Sequence, residues 1–165
     1  VVSKLRQCTD LVFDCHLMIT DPETYAPQFV NAGADHVTFH IEVAKDPAKL
    51  IDKLHKMGAS AGLCINPETP VETIKDYAEL CDMILVMTVH PGFGGQEFME
   101  DAAKKVIQVR EIVSKDTRVE VDGGISVQTT PKVVSYGADT LVAGSAVFGE
   151  QDRHKAIEAI RSACK

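Results

Sequence analysis

Residues 31–39 read NAGADHVTF and residues 135–143 read SYGADTLVA. In both, a polar, helix-like stretch ends in Gly-Ala-Asp and a short strand-like run follows at once. Glycine closes a helix in the left-handed region at no steric cost. A Gly-Ala-Asp turn placed directly before a strand is the helix-to-strand punctuation expected on the bottom face of a (β/α) barrel.

Working outward, the same alternation recurs along the chain. LVFDCHLMI (11–19) reads as a strand, and TDPETYAPQFVNAG follows as a helix, with Asp21 as cap, Pro22 suited to the first turn and Gly33 at the close. The later pairs are HVTFHIEV with DPAKLIDKLHKMG, SAGLCINP with TPVETIKDYAEL, MILVMTV with FMEDAAKKVIQVREIV, RVEVDGG with TTPKVVSYG, and TLVAGSAVF with HKAIEAIRSACK. Strict alternation of this kind implies right-handed crossovers and a parallel sheet covered by helices. The expectation is one α/β domain over residues 1–165, a (β/α)8 TIM barrel, with a flavodoxin-like open sheet as the structural alternative. Such a barrel normally has eight units, and about six are read here. The opening VVSKLRQ looks like the last turns of a helix, so two N-terminal βα units are expected to be missing, which would leave the first and last strands as unpaired edges.

The net charge of −7, with no cluster of Lys and Arg, argues against nucleic acid or an anionic membrane as partner. Five cysteines with no C-x-x-C pair read as reduced core residues, and no apolar run approaches the length of a membrane span. A soluble, cytoplasmic protein is expected.

Alternation along a strand sends neighbours to opposite faces. In the first strand Phe13, Cys15, Leu17 and Ile19 form an apolar phase fit to lie under helices, while Val12, Asp14, His16 and Met18 face the interior. HVTFHIE divides into Val37, Phe39 and Ile41 against His36, Thr38, His40 and Glu42; RVEVD divides into Val119 and Val121 against Arg118, Glu120 and Asp122. His16, His40, Met87 and Asp122 fall at or near the carboxyl ends of strands, where barrels of this kind carry their sites. A neutral imidazole beside a carboxylate suits zinc, iron, manganese or cobalt. Three glycine-rich loops on the same end, PGFGGQ (91–96), DGGIS (122–126) and AGSAVF (143–148), present bare amides of the kind that cradle a phosphate.

Through FDCHLMI, TFHIE, LVMTVHPGFGGQEFM, VEVDGGI and VAGSAVF, the chain closely resembles the ribulose-phosphate 3-epimerases over essentially all its length, from their third strand onward. The resemblance implies a ribulose-phosphate-binding barrel that interconverts D-ribulose 5-phosphate and D-xylulose 5-phosphate on one divalent metal ion, in the pentose phosphate and Calvin routes; a homo-oligomer is also expected, since unpaired edge strands suit an isolated monomer poorly. The resemblance assigns His16 and Asp122 as metal ligands, with His16 also touching substrate and Asp122 also one of two catalytic carboxylates. Gly92, Phe93, Gly94, Gly95, Gly123, Gly124 and Ile125 would line the substrate, and Gly144 and Ser145 would hold its phosphate. Met18 and Met87 match methionines that cap the reacting plane. The family's H-x-D-x-M-D-G motif, source of the partner aspartate and a second histidine ligand, has no counterpart. His40 lies on the wrong strand to replace that histidine, and Asp14 too deep to replace the aspartate. The chain alone is therefore expected to be inactive, or to be a sugar-phosphate-binding remnant. An allulose-6-phosphate epimerase is the other reading. The Asp-x-Lys-x-x-Asp pattern of related synthases and decarboxylases is missing from these strand ends.

Overall fold

The computed structural model describes residues 1–92 and 95–165. Its six strands are β1 (Asp14–Leu17), β2 (His36–His40), β3 (Ser60–Ile65), β4 (Met83–Met87), β5 (Arg118–Asp122) and β6 (Thr140–Val142). All pair in parallel and stand in chain order. A doubly wound sheet of the flavodoxin kind needs a reversal of strand order, and there is none. The sheet is also curled: His16 on β1 and Asp122 on β5 approach to 3.6 Å, whereas flat strands four places apart would be separated by about 19 Å. The fold is thus part of a TIM barrel.

The side-chain phases divide as their alternation requires. Val37, Phe39, Leu63, Ile65, Ile84, Val86, Val119 and Val121 point outward into one core. There they meet Leu50, Ile51 and Leu54 of α3 (Pro47–Lys56) and Val106 and Val109 of α5 (Lys105–Ile112). Each such side chain contributes about 1.5–3 kcal/mol by leaving water. Asp21 caps α2 (Pro22–Asn31) and Asp46 caps α3, each accepting from the amide three residues on, which satisfies one of the orphan donors of a first turn. The remaining helices are α1 (Val2–Leu5), α4 (Glu100–Ala103), α6 (Thr130–Ser135), α7 (Ser145–Phe148) and α8 (Arg153–Ala163).

The two Gly-Ala-Asp turns are built alike. Gly33 and Gly137 have φ near +110°, and a Cβ on either would sit 2.8 Å from an arginine side chain, Arg6 or Arg110 respectively. Each arginine binds the glycine carbonyl and the aspartate of its own turn, Asp35 or Asp139. Each aspartate in turn accepts from a backbone N–H of the preceding unit, Phe13 or Val119. Asp82 repeats the device before β4, accepting the Ala61 N–H at 2.8 Å, with His55 in the place the arginines take in the other two turns.

Three elements differ from the sequence expectation. β1 spans four residues rather than nine, because it is an edge strand whose register covers only the stretch opposite His36–Phe39; Leu11 and Val12 remain exposed. TPVETIKDYAEL forms a 3-10 helix over Val71–Leu80 instead of an α-helix. Its first turn is tightened by the Thr73 amide and hydroxyl, which both bond the Pro70 carbonyl. The long helix after β4 divides at Lys104 into α4 and α5.

Candidate active site

The inner face of the sheet changes character along its axis. Near the amino ends, His36 is closed off by hydroxyls, its Nδ1 2.7 Å from Ser60 Oγ and its Nε2 2.9 Å from Thr38 Oγ1. Glu120 is buried beside Asp14, and burial first, then the negative charges of Asp14 and Asp122, push its carboxyl up to about 8. Further up, Cys64, Leu85, Met87 and Val89 form a small apolar cluster on the inner side. Burial pushes the Cys64 thiol well up, and the neighbouring carboxylates add to the shift.

At the carboxyl ends the polar groups meet. His16 projects inward from β1 with Nδ1 3.6 Å from Asp122 Oδ2, at the end of β5. Its other nitrogen, Nε2, is 2.8 Å from Nε2 of His40 on β2. His40 Nδ1 is 3.4 Å from Glu42 Oε2. Burial raises the Glu42 carboxyl, but hydrogen bonds from His40, Thr69 and the Asn66 N–H outweigh it and hold the group down at about 2. Glu42 is therefore a fixed anion near neutral pH.

Above Asp122 opens a cleft of about 230 Å³, lined by Met18, Met87, Val89, His90, Gly92, Gly95, Gln96, Asp122, Gly123, Gly124, Ile125, Val142, Gly144 and Ser145. Ten of the residues expected from sequence stand together there, and His16 reaches the same carboxylate from β1. Phe93 and Gly94 lie outside the described residues. Thr88 joins two of the loops: its hydroxyl donates to the Gly123 carbonyl at 2.6 Å, and its amide bonds Asp122 O at 2.8 Å. Gly123 lies so close that a Cβ there would meet Val89 at 2.6 Å, while Gly144 faces open space with nothing within 4 Å. Packing thus explains Gly123. At Gly144, where α7 begins, the bare backbone is left facing the cleft.

Sequence reasoning assigned no role to Thr88, His90 or Val142; it placed His40 and Glu42 on the inward phase without giving either a place in the site. The inward phase of HVTFHIE carried a signal for His40 and Glu42, yet their distance from His16 depends on the curl. Gln96 Nε2 donates to the His90 carbonyl at 2.7 Å and so draws the two ends of the glycine-rich loop together.

The His16–Asp122 pair offers an imidazole nitrogen and a carboxylate oxygen at the edge of a cleft. Two donors each roughly 2.1 Å from one ion in tetrahedral geometry stand about 3.4 Å apart, so the observed 3.6 Å fits two ligands of a divalent ion. His16, His40 and Cys64 also bring their donor atoms within 4.8 Å of one another.

Residues 1–148 match the model of the ribulose-phosphate 3 epimerase family. The chain is 43% identical to a ribulose-phosphate 3-epimerase of Bacillus subtilis, over 98% of this chain and 76% of that protein. It is 41% identical to a chloroplastic ribulose-5-phosphate-3-epimerase of Arabidopsis thaliana, over 98% of this chain and 59% of that one. Among solved structures, 3-keto-L-gulonate-6-phosphate decarboxylase from Vibrio cholerae superposes with a TM-score of 0.77 at 18% identity, covering 99% of this chain and 77% of its own; at that identity the likeness speaks for the fold. With a 43% identical relative spanned over three quarters of its length, and the inward side chains gathered as above, the chain belongs to the ribulose-phosphate 3-epimerase family.

Proposed function

We propose that this protein binds D-ribulose 5-phosphate and exchanges the proton at C3, the step on which conversion to D-xylulose 5-phosphate turns, with a divalent metal ion held by His16 and Asp122. The observation that carries the reading is the His16–Asp122 pair at the edge of a cleft whose walls include Asp122, Met18, Met87 and the glycine loops. Inversion beside a ketone requires that a proton leave C3 on one face of a flat enediolate and return on the other. The metal, when bound, supplies electrostatic stabilisation of the charge that develops on the substrate oxygens.

The chain's own groups divide the remaining work. The Asp122 carboxylate takes or returns the C3 proton on its face. Met18 and Met87 cover the reacting plane with polarisable thioethers that hold no transferable proton. Gly144 and Ser145 receive the phosphate, and the backbone of Gly92, Gly95, Gly123, Gly124 and Ile125 orients the sugar.

Among the described residues that line the cleft, Asp122 is the only carboxylate. That favours a sharper statement: this chain exchanges the C3 proton on one face and does not complete the inversion. Sugar-phosphate binding without turnover is the second reading, favoured by the same observation. Allulose 6-phosphate is a further candidate substrate. A cytoplasmic setting is supported by five free cysteines and by the absence, among the described residues, of any helix long and apolar enough to cross a membrane. Self-association is supported by exposed apolar side chains at Leu11, Val12, Val142 and Phe148.

The test is incubation with ribulose 5-phosphate in deuterated water with added zinc or cobalt. Deuterium should enter C3 with little xylulose 5-phosphate formed. Inversion at enzymatic speed would show that a second acid/base group operates. Failure of exchange together with failure to bind the sugar phosphate would overturn the site.

A further inference from the structure

We propose that His16, His40 and Cys64 form a second cation site, one that takes a thiophilic ion such as cadmium, copper(I) or zinc, on the side of the His16 ring away from Asp122. The site stands on its own donors; only its consequence for the reaction rests on the metal reading above.

Three adjacent strands supply the donors. His40 on β2 and Cys64 on β3 are paired in register, and β1 brings His16 beside β2 on the same inner face. One donor atom from each residue lies within 4.8 Å of the other two. Ligands of one tetrahedral ion stand about 3.4 to 3.6 Å apart when nitrogen lies roughly 2.1 Å and sulfur roughly 2.3 Å from the metal. The two Nε2 atoms are 2.8 Å apart, on rings stacked at 4.9 Å between centroids. An ion would therefore part the rings by about half an ångström and draw the sulfur in.

The surroundings suit a soft cation. Each histidine turns its other nitrogen to a carboxylate, His16 Nδ1 to Asp122 Oδ2 at 3.6 Å and His40 Nδ1 to Glu42 Oε2 at 3.4 Å. A carboxylate behind the second nitrogen is the usual support of a histidine ligand. Cys64 packs with Met87 in the small apolar cluster, and a thiol beside imidazoles selects soft ions over magnesium or calcium. A cavity of about 290 Å³, lined by Met18, His40 and Glu42 among others, gives an ion a way in. Burial, then the negative charges of Glu42 and Asp122, hold the proton on the thiol; the same charges attract a cation. On binding, the S–H bond breaks, the proton passes to water and a sulfur–metal bond replaces it.

A neutral imidazole offers one lone pair. An ion on His16 Nε2 and an ion shared by Nδ1 and Asp122 therefore exclude each other, and a thiophilic ion would displace the one proposed for the reaction.

The experiment uses the full chain with the exposed Cys8 and Cys164 changed to serine, reduced and stripped of metal. Cadmium should bind at one equivalent with the ultraviolet sulfur-to-cadmium absorption of a bound thiolate. Cys64→Ser and His40→Ala should lose that band, and Asp122→Asn should keep it. Glu42→Gln should weaken cadmium binding about 10- to 100-fold, read by chelator competition. Cys64→Ala repeats the test where the serine variant does not fold. A band that survives the Cys64 variants would place the ion on Cys15 or Cys81 and overturn the site, as would the absence of a band in the parent. Cobalt held through Asp122 should leave as cadmium enters; both ions held at once would overturn the exclusion. Cobalt binding indifferent to Asp122→Asn would sink the metal reading instead, and the cadmium band would still decide the second site.

Discussion

His36 and His40 lie four residues apart on the same face of β2, both buried to about the same degree, at 6% and 5% exposed. Their partners are of opposite kinds. His36 meets two hydroxyls, which can rotate to donate or accept and so place no demand on the ring. His40 meets an anion on one side and a second imidazole on the other. Residue type and burial are matched; what differs is whether the neighbours impose a direction. The amino-terminal half of the inner face closes on its own hydroxyls, and the carboxyl-terminal half gathers imidazoles and carboxylates beside a cleft.

The largest effect that would break this division is at Asp122. Asp122→Asn should lower C3 exchange by about 10²- to 10⁴-fold, the usual worth of a positioned acid/base group, and leave sugar-phosphate affinity within a few-fold when both are measured on the same preparation. Unchanged exchange would remove the residue from its assigned role.

At the other end, stability should move and affinity should not. A Cβ on Gly62 would lie 2.7 Å from Thr38 Oγ1, 2.9 Å from His36 Nε2 and 3.0 Å from the Met83 carbonyl. Gly62→Ala should therefore cost about 1–3 kcal/mol in denaturant unfolding, with zinc affinity retained. A parallel fall in both would show that the two ends are not separable.

Glu120 sharpens the contrast through pH. Its folded pKa, about 8, is raised above the ordinary carboxylate value. The unfolded chain therefore releases this proton at lower pH than the folded chain does. The group's contribution is full below about pH 4.5 and declines as pH rises toward 8. Glu120→Gln should remove that decline, and so be relatively more stable than the parent at pH 8 than at pH 5, on the order of 2 kcal/mol. A flat parent profile across this window would mean that the carboxyl is already ionised.

The smallest effect is expected at Glu42, whose pKa of about 2 lies below the ordinary value. Its stabilisation is present above about pH 4.5 and is lost as pH falls toward 2. Glu42→Gln should cost about 1 kcal/mol at pH 7, since the group is partly solvated, and nothing once the parent carboxyl is protonated. A cost that persists at pH 2 would assign the effect to shape.

Much of the site was legible in sequence for one physical reason: side-chain direction along a strand is a local property with period two. Asp122, Met87 and Met18 could be placed inward, and the glycine loops put on the same end, from residues within a few positions of each. His40 shows where this stops. Its place at a carboxyl strand end could be read locally, but that its ring stands 2.8 Å from that of His16 follows from the pairing of β1 with β2 and from the curl. The arginine that completes each Gly-Ala-Asp turn was equally invisible, because Arg6 and Arg110 lie 27 residues before the glycines they hold.

By itself, then, the sequence determined the alternation of strand and helix, the inward and outward phases, and the family. Only the tertiary structure decided that His16 on β1 comes within 3.6 Å of Asp122 on β5, and that His40 and Glu42 stand behind the other side of the His16 ring. Periodicity is written in neighbouring residues, whereas the distance between side chains on different strands is set by how the sheet curls in space.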